Sequence, residues 1–375
     1  MAKSLRVLII DASIVFRTLL RTSLKKIDGV EVIGAAGDGE GALRQIQALQ
    51  PDLITLDMED AQLDGAAVLR LIRTLPRTVM VLIISTDRKE NADCVLEALA
   101  LGAYEVLLKP DASAHQAFSE KLQTCVKTLM VKGAVGDLPA LAKSRISSVK
   151  PAKQVISAPH ADAALRQMSA RENFHTDIIA IGSSTGGPQA LSCLFKGLPE
   201  AIDVPIVITQ HMPKSFVQSL ASRLDRESLL NFHVAEQGMA LQPGHVYLAP
   251  GELHMHIKGT AAALQVDLVD GAKVHQCKPA VDPMFFSLEK LAPRVRSVAV
   301  VLTGMGQDGA AGAKAIADAG GVVIVQDRVT STVWGMPGST FKAGAAHFLL
   351  PIEEVPTTLS LFSSGRAVLV EQDTL

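Results

Sequence analysis

The sequence contains few cysteines, few aromatic residues and no excess of either charge. Its 375 residues include four cysteines, one tryptophan and two tyrosines, and the formal net charge is −2. The cysteines are dispersed and form no Cys-x-x-Cys pair, which argues against a disulfide scaffold or a metal cluster and predicts reduced thiols. Since positive and negative residues are balanced, we expect neither nucleic acid nor an anionic membrane surface as the principal partner.

Long hydrophobic runs are also missing. No apolar stretch reaches the roughly 18–20 residues that span a bilayer, and the first residues lead directly into a predicted strand. We therefore expect a cytoplasmic protein without membrane insertion. What the sequence does have is 48% hydrophobic and 20% charged residues, which is typical of globular packing, and a length that predicts two domains.

Short apolar runs alternate with amphipathic segments from residue 5 to about residue 130. Five βα units of this size predict a doubly wound parallel sheet, so we assign residues 1–130 to a five-stranded, flavodoxin-like α/β domain. The predicted strands are Leu5–Ile10, Val30–Ala35, Asp52–Leu56, Val79–Ile84 and Tyr104–Leu108.

The pattern changes in residues 131–174. Prolines, serines and scattered cations predict a linker there, with a short helix at 161–169. Strands and helices resume at residue 175, and we expect a second doubly wound, mostly parallel α/β domain over residues 175–358. Residues 359–375 are predicted to form a C-terminal tail.

Polar residues follow four predicted strands of the first domain. Asp11, Asp57, Ser85 and Lys109 should meet at one edge of the sheet, because the carboxyl ends of parallel strands gather there. Two carboxylates, a hydroxyl and an ammonium indicate acyl-phosphate chemistry, in which one aspartate accepts a phosphoryl group and the other helps to hold Mg²⁺. The alternative is that each residue simply caps a helix or faces water.

Three segments of the first domain resemble the receiver domain of two-component signalling. These are Val-Leu-Ile-Ile-Asp-Ala-Ser (7–13), Pro-Asp-Leu-Ile-Thr-Leu-Asp-Met-Glu (51–59) and Lys109-Pro110, within a resemblance that covers residues 4–127. The resemblance implies that Asp57 is the phospho-acceptor and that Ser85 or Thr86 supplies the switch hydroxyl. It also implies a role for Lys109 at the phosphoryl group and a Mg²⁺ site that includes Asp11 and Asp57.

The first domain departs from the receiver pattern beside Asp11. Receivers usually carry two adjacent acids at this point, whereas here Ala12 follows Asp11, so that one of the usual metal-holding carboxylates is missing. Asp60 and Ala61 also stand where the family tends to have methionine and proline. We consider Asp60 as a partial replacement for the negative charge that Ala12 does not provide.

Three apolar runs of the second domain end abruptly in small or glycine residues. They are Ile-Ala-Ile-Gly-Ser-Ser-Thr-Gly-Gly (179–187), Val-Ile-Thr-Gln-His-Met-Pro (207–213) and Val-Leu-Thr-Gly-Met-Gly-Gln-Asp-Gly (301–309). They supply Ser184, His211 and Asp308, the residue types of a hydrolytic triad. A serine hydroxyl needs an imidazole to accept its proton, and the imidazole needs an acceptor that orients it.

Each of these motifs has a simpler explanation when taken alone. The glycine turn could bind a phosphate, although no Walker lysine follows it. His211 could cap or pack, and Asp308 could cap a predicted helix at Ala310–Ala319. His254 and His256 could form a metal pair, but with no acidic third ligand apparent we favour a structural role.

Four motifs of the second domain together resemble the CheB family of chemotaxis protein-glutamate methylesterases, over residues 176–355. They are Gly-Ser-Ser-Thr-Gly-Gly-Pro (182–188), Thr-Gln-His-Met-Pro (209–213), Pro-Gly-His-Val-Tyr-Leu-Ala-Pro-Gly (243–251) and Leu-Thr-Gly-Met-Gly-Gln-Asp-Gly-Ala-Ala-Gly (302–312). The order receiver, linker, esterase also matches that family. Ala280 stands where the family usually has serine, at a wall of the site.

The CheB resemblance implies a role for each matching residue. Ser184 would be the nucleophile, His211 the general base and then acid, and Asp308 the orienting carboxylate. Thr185 and the backbone N–H of Met305 would lie at the oxyanion position.

The resemblance also implies the reaction and its partners. The substrates would be glutamate methyl esters, and also glutamines, on methyl-accepting chemoreceptors. A CheA-type histidine kinase would be the phosphodonor, and the receiver would inhibit the esterase until it is phosphorylated. The esterase itself would need no cofactor.

Two other functions stay open at the level of the sequence. The chain could be a receiver-linked serine hydrolase with a different ester substrate, because the substrate surface lies outside the motifs. It could also be a non-catalytic signalling scaffold that retains the triad.

Overall fold

The computed structural model describes residues 4–59, 65–75, 78–111, 114–135, 175–198 and 202–363. The chain divides into two compact units, Met1–Ile146 and Ser147–Leu375. This division falls within the predicted linker. The bounds of the linker, residues 131 and 174, stay a prediction. The predicted helix at 161–169, Asp60, Ala61 and residues 364–375 of the predicted tail lie outside the described residues.

The first unit contains a five-stranded parallel sheet with the strand order β2-β1-β3-β4-β5. All five strands of the sequence analysis are found, each within one residue at either end, so the doubly wound prediction is confirmed. The strands are β1 (Leu5–Ile10), β2 (Val30–Ala36), β3 (Leu53–Asp57), β4 (Met80–Ser85) and β5 (Glu105–Leu108).

Helices connect and follow these strands, as parallel crossovers require. Helix α1 begins after Ser13, whose Oγ accepts the backbone N–H of Phe16 at 3.2 Å, and α2 begins after Asp38, whose carboxylate accepts the N–H of Gly41. The helices are α1 (Ile14–Leu24), α2 (Gly39–Leu49), α3 (Gly65–Thr74), α4 (Ala92–Ala100), which a 3₁₀ turn (Lys89–Asn91) precedes, and α5 (His115–Val135).

The second unit contains a seven-stranded sheet in which every strand pairing is parallel, with the order β14-β13-β12-β6-β7-β9-β8. The expected mostly parallel α/β domain is therefore confirmed. An antiparallel hairpin, β10 with β11, completes the strands described for this unit. The strands are β6 (Ile178–Ser183), β7 (Ile206–Gln210), β8 (Asn231–Val234), β9 (His245–Leu248), β10 (His254–Thr260), β11 (Ala263–Val269), β12 (Ser297–Val301), β13 (Val322–Gln326) and β14 (Phe348–Leu350).

The central strands of this sheet are completely buried, which explains why they appear in the sequence as continuous apolar runs. The helix predicted at Ala310–Ala319 is present, with Asp318 as its last residue. The helices are α6 (Gly187–Lys196), α7 (Lys214–Glu227), α8 (Val281–Glu289), α9 (Ala310–Asp318), α10 (Gly335–Lys342) and α11 (Val355–Ser363). Among the helices in the described part of the chain, none has the length and apolar character needed to cross a membrane.

Candidate active site

The register of the second sheet brings the predicted catalytic strand ends together. Strands β6 and β7 are neighbours in which Ser183 pairs with Gln210, so Ser184 and His211 are the next residues on adjacent strands. The backbone N–H of His211 donates to the Ser183 carbonyl at 3.0 Å, and the N–H of Ser184 donates to the Thr303 carbonyl just beyond β12 at 3.0 Å. The serine turn is therefore anchored to both neighbouring strand ends.

Glycines allow the chain to turn tightly around Ser184. Gly186 has a φ of +78°, and a Cβ atom there would also collide with the Thr332 side chain. Gly304 packs directly against the serine, because an added Cβ atom would lie 2.8 Å from Ser184 Cβ and would overlap Met336 Sδ. These close approaches place Ser184, which is half-buried, at the start of α6.

His211 and Asp308 form a direct pair. His211 Nε2 lies 2.7 Å from Asp308 Oδ2, and the aspartate is almost completely buried. Its carboxylate also accepts backbone N–H groups from Val281 at 2.7 Å and from Asp282 and Gly309 at 2.9 Å. Burial alone would raise the pKa of Asp308, but the hydrogen bonds with His211 and the backbone lower it, so the carboxylate stays charged.

His211 has a second side-chain partner that the sequence analysis missed. The Cys277 side chain interacts with the imidazole and acts to raise its pKa. Burial by itself would lower the pKa of His211, but the interactions with Asp308 and Cys277 outweigh it and raise the pKa to about 9. The imidazole is therefore a stronger base than an isolated histidine.

Cys277 reaches His211 because it ends a tight turn. Val274 and Cys277 exchange backbone hydrogen bonds of 3.1 and 2.8 Å, and the two residues between them, His275 and Gln276, have positive φ angles of 50° and 64°. Two successive left-handed residues are the signature of a type I′ turn. The sequence offered no glycine or asparagine signal for this turn.

The same turn presents His275 to a buried carboxylate beside the triad. His275 Nε2 lies 3.0 Å from Asp282 Oδ2, while Asp282 Oδ1 accepts the N–H of Gly312 at 2.7 Å. Burial and the nearby charge of Asp308 raise the pKa of Asp282. Potential ligand atoms of His275, Asp282 and Asp308 lie within 4.8 Å of one another, but backbone N–H groups already bond both carboxylates, so we assign this cluster to positioning of Asp308.

The predicted oxyanion residues lie next to the serine in the fold. Thr185 directly follows Ser184 and is buried, and its carbonyl accepts the Thr303 hydroxyl at 2.9 Å. Met305 follows Gly304, the residue that packs on Ser184. This placement is compatible with the predicted position of Thr185 and Met305 at an oxyanion. Their role there stays a prediction.

The buried His254 serves the backbone. Its Nε2 lies 2.9 Å from the Ala272 carbonyl, and its Nδ1 accepts the N–H of Ala280 at 3.1 Å. Both ring nitrogens are thus used in packing the segment before α8, which supports the structural role over a metal role. Ala280 itself is fully buried.

A second polar cluster lies at the carboxyl edge of the first sheet, where the sequence predicts it. Lys109 Nζ is 2.8 Å from Asp57 Oδ2 and 3.4 Å from Asp11 Oδ2. Ser85 is fully buried, and its hydroxyl donates to the Thr86 carbonyl at 3.3 Å. A third carboxylate, Glu59, lies 3.6 Å from Lys109 Nζ, and the sequence analysis did not assign it.

The side chains around Lys109 suit Mg²⁺. Asp11 is fully buried, and within the described residues its Oδ2 accepts no close hydrogen bond. Burial and the charge of Asp57 raise the pKa of Asp11, because neighbouring carboxylates disfavour each other's charged form. Carboxylate oxygens are the ligands that Mg²⁺ prefers, so Asp11 and Asp57 fit the ion that the receiver resemblance implies.

Comparisons with known proteins place both halves of the chain. Residues 7–117 match the model of the "Response regulator receiver domain", and residues 179–359 match that of "CheB methylesterase". A protein-glutamate methylesterase/protein-glutamine glutaminase of Nocardioides sp. (strain ATCC BAA-499 / JS614) is 36% identical over 98% of both chains. One from Xanthomonas euvesicatoria pv. vesicatoria, called protein-glutamate methylesterase/protein-glutamine glutaminase 1, is 39% identical over 96% of this chain and 97% of the relative.

One further match comes from the comparison with solved structures. The crystal structure of the Thermotoga maritima CheB methylesterase catalytic domain is 41% identical, covering 49% of this chain and 97% of that one, with a TM-score of 0.47.

Proposed function

This chain belongs to the CheB methylesterase family, and we propose how its own residues carry out the family reaction. The chain is a protein-glutamate methylesterase and protein-glutamine glutaminase of chemotaxis, with a receiver domain before the esterase domain. It acts on glutamate methyl esters and glutamines of methyl-accepting chemoreceptors, in the cytoplasm. The observation that carries the catalytic assignment is the 2.7 Å pair of His211 and Asp308 beside the Ser184 turn.

Ser184 is the nucleophile in this proposal. Neutral His211 accepts the hydroxyl proton while Ser184 Oγ attacks the ester carbonyl carbon. The Met305 N–H and Thr185 stabilise the negative charge that develops on the carbonyl oxygen. The C–O bond to the methoxy group then breaks, and the imidazolium returns the proton so that methanol leaves.

Water completes the cycle. His211 accepts a proton from water, and the resulting hydroxide attacks the acyl-enzyme. The bond between the acyl carbon and Ser184 Oγ then breaks, His211 returns the proton to Ser184 Oγ, and glutamate is released. With a glutamine side chain the same steps release ammonia in place of methanol. Asp308 stays ionised throughout and orients His211, because its other lone pairs are used by backbone N–H groups.

The receiver domain is the regulatory part of the proposal. Asp57 accepts a phosphoryl group from a CheA-type histidine kinase, and Lys109 and Ser85 or Thr86 bind the phosphoryl oxygens. Asp11 and Asp57 would hold Mg²⁺, which would neutralise the charge that develops during transfer. Phosphorylation raises esterase activity by relieving inhibition by the receiver.

Methanol release from methylated chemoreceptor membranes tests the catalytic part with the full chain. We expect release by the wild-type chain and loss of at least about 10³-fold of the rate in Ser184→Ala, because the nucleophile is removed. Ser222→Ala is the matched control, since it removes a hydroxyl on α7 of the same domain. Equal rates for Ser184→Ala and Ser222→Ala would refute the assignment of the nucleophile.

A further inference from the structure

Glu59 connects the phospho-acceptor to the loop after β4. Its backbone N–H donates to Asp57 Oδ1 at 3.1 Å, so the residue is held against the acceptor carboxylate. Its side chain extends across the site, where Glu59 Oε1 accepts the backbone N–H of Thr86 and the Asn91 side-chain amide, the latter at 3.0 Å. The other oxygen, Oε2, faces Lys109 Nζ at 3.6 Å. Glu59 thus contacts two groups of the connection after β4 and the Lys109 ammonium that follows β5.

These three groups are hydrogen-bond donors, and one of them also contacts Asp57. Lys109 Nζ bonds Asp57 Oδ2 directly at 2.8 Å. The Thr86 N–H is the first backbone donor after β4 ends at Ser85, and a backbone N–H at a strand end is well suited to an anion. An ammonium and a backbone N–H are the donors that a phosphoryl group on Asp57 would need.

Glu59 provides these donors with a charged hydrogen-bond acceptor, as a phosphoryl group on Asp57 would. A carboxylate is an anion with two acceptor oxygens, and this one is four-fifths buried, so little water competes for its hydrogen bonds. Asn91 reinforces the arrangement, because its amide also lies 3.3 Å from Thr86 Oγ1.

We propose that the Glu59 carboxylate is an internal competitor of the phosphoryl group: in the unphosphorylated receiver it occupies the Thr86 N–H and Lys109, which a phosphoryl group on Asp57 requires. This inference rests on the proposed role of Asp57 as the phospho-acceptor. Phosphorylation then requires Glu59 to swing away from Thr86 and Asn91. The receiver has a higher threshold for phosphorylation than the same receiver without a carboxylate at this position.

Beryllium fluoride tests the competition without any covalent step. Beryllofluoride coordinates a carboxylate oxygen and presents three fluorides to the donors of a phosphoryl group. Binding to the full chain is measured by isothermal titration calorimetry in saturating Mg²⁺, for wild type, Glu59→Ala and Glu59→Gln. Each donor that Glu59 releases recovers a hydrogen bond to a charged group, so we expect Glu59→Ala to bind about tenfold to a hundredfold more tightly.

Glu59→Gln keeps the size of the side chain and removes its charge, so its affinity should fall between those of wild type and Glu59→Ala. Glu90→Ala is the matched control. Glu90 is an exposed carboxylate beside Asn91, so this variant makes the same change in net charge while leaving Glu59 in place. Glu90→Ala should bind like wild type. Asp57→Ala, which removes the coordinating carboxylate, should abolish binding in every background.

A second measurement reports the hydrogen bond itself. The Thr86 amide should exchange with solvent deuterium faster in Glu59→Ala than in wild type, and beryllofluoride should restore its protection. Thermal unfolding of each variant verifies that it is folded.

Three results would overturn the inference. If Glu59→Ala and wild type bound beryllofluoride with affinities within twofold of each other, Glu59 would not be a competitor. The binding itself would still support Asp57 as the acceptor. Weaker binding by Glu59→Ala would make Glu59 a contributor to the metal site. If none of the proteins bound beryllofluoride, both the competition by Glu59 and the proposed phosphorylation of Asp57 would be refuted. The esterase activity would still be tested independently by methanol release.

Discussion

Replacing Asp308 with asparagine should change both the rate of ester hydrolysis and its dependence on pH, because His211 owes its basicity to that carboxylate. The interactions with Asp308 and Cys277 raise the pKa of His211 to about 9. In the proposed mechanism the imidazole must be neutral to accept the serine proton, so with a pKa of about 9 we expect only about one enzyme molecule in a hundred to be ready to react at pH 7. In the wild-type chain kcat/KM should therefore rise about tenfold for each pH unit, or about a hundredfold from pH 6 to pH 8.

The asparagine variant removes the hydrogen bond that counteracts burial. Burial is the largest influence on His211 and acts to lower its pKa, so in Asp308→Asn the pKa of His211 should fall well below that of wild type. The increase in kcat/KM above pH 7 should then flatten. The rate itself should fall by about 10⁴-fold, because an amide cannot hold the imidazole in the required tautomer and orientation.

The assay is methanol release from methylated chemoreceptor membranes at subsaturating substrate, over pH 6 to 9. Ser184→Ala serves as the blank, because methyl esters hydrolyse spontaneously at alkaline pH. A wild-type kcat/KM that is constant between pH 7 and pH 9 would refute the argument, since it would mean that His211 is already neutral at pH 7. An unchanged slope in Asp308→Asn would show that another group sets the pKa.

Three further outcomes are expected. Cys277→Ala should shift the rising limb of the kcat/KM profile to lower pH than in wild type, with Cys277→Ser shifting it less; superimposable profiles would exclude a role for the thiol. Gly304→Ala should lower the free energy of unfolding by about 1–3 kcal/mol in urea titrations, because its methyl group would crowd Met336 and Ser184, and no change in the midpoint would contradict this. Ala12→Asp, at an exposed position, should tighten Mg²⁺ binding about tenfold by calorimetry by restoring a carboxylate beside Asp11, and unchanged affinity would count against a metal site there.

The sequence was sufficient to predict the strands and the residues at their ends. Buried parallel strands are apolar on both faces, so β6, β7 and β12 stand out as continuous runs that stop at Ser184, His211 and near Asp308. The carboxyl ends of parallel strands lie at the same edge of a sheet. The contact between Lys109 and Asp57 could therefore be predicted by the same argument.

The partners on loops could not be predicted in this way. Glu59 and Cys277 follow no periodic pattern, and each reaches its partner from a segment whose path is set by packing against the rest of the domain. Asp60, the acid considered from the sequence, lies outside the described residues, whereas its neighbour Glu59 contacts Lys109. Cys277 depends on two left-handed residues, His275 and Gln276, which residue type alone gives no reason to expect.

The order of residues was therefore enough to predict which side chains gather at each sheet edge and which chemistry they can perform. The pattern of buried and exposed residues and the parallel connection of successive strands both depend on short segments of chain. They can therefore be recognised in the amino-acid sequence. Which donor meets which acceptor within each cluster depends on how the folded chain packs. A hydrogen bond forms or fails over a few tenths of an ångström, and that precision comes from the packing of segments distant in the chain, such as Glu59 with Thr86 and His211 with Cys277.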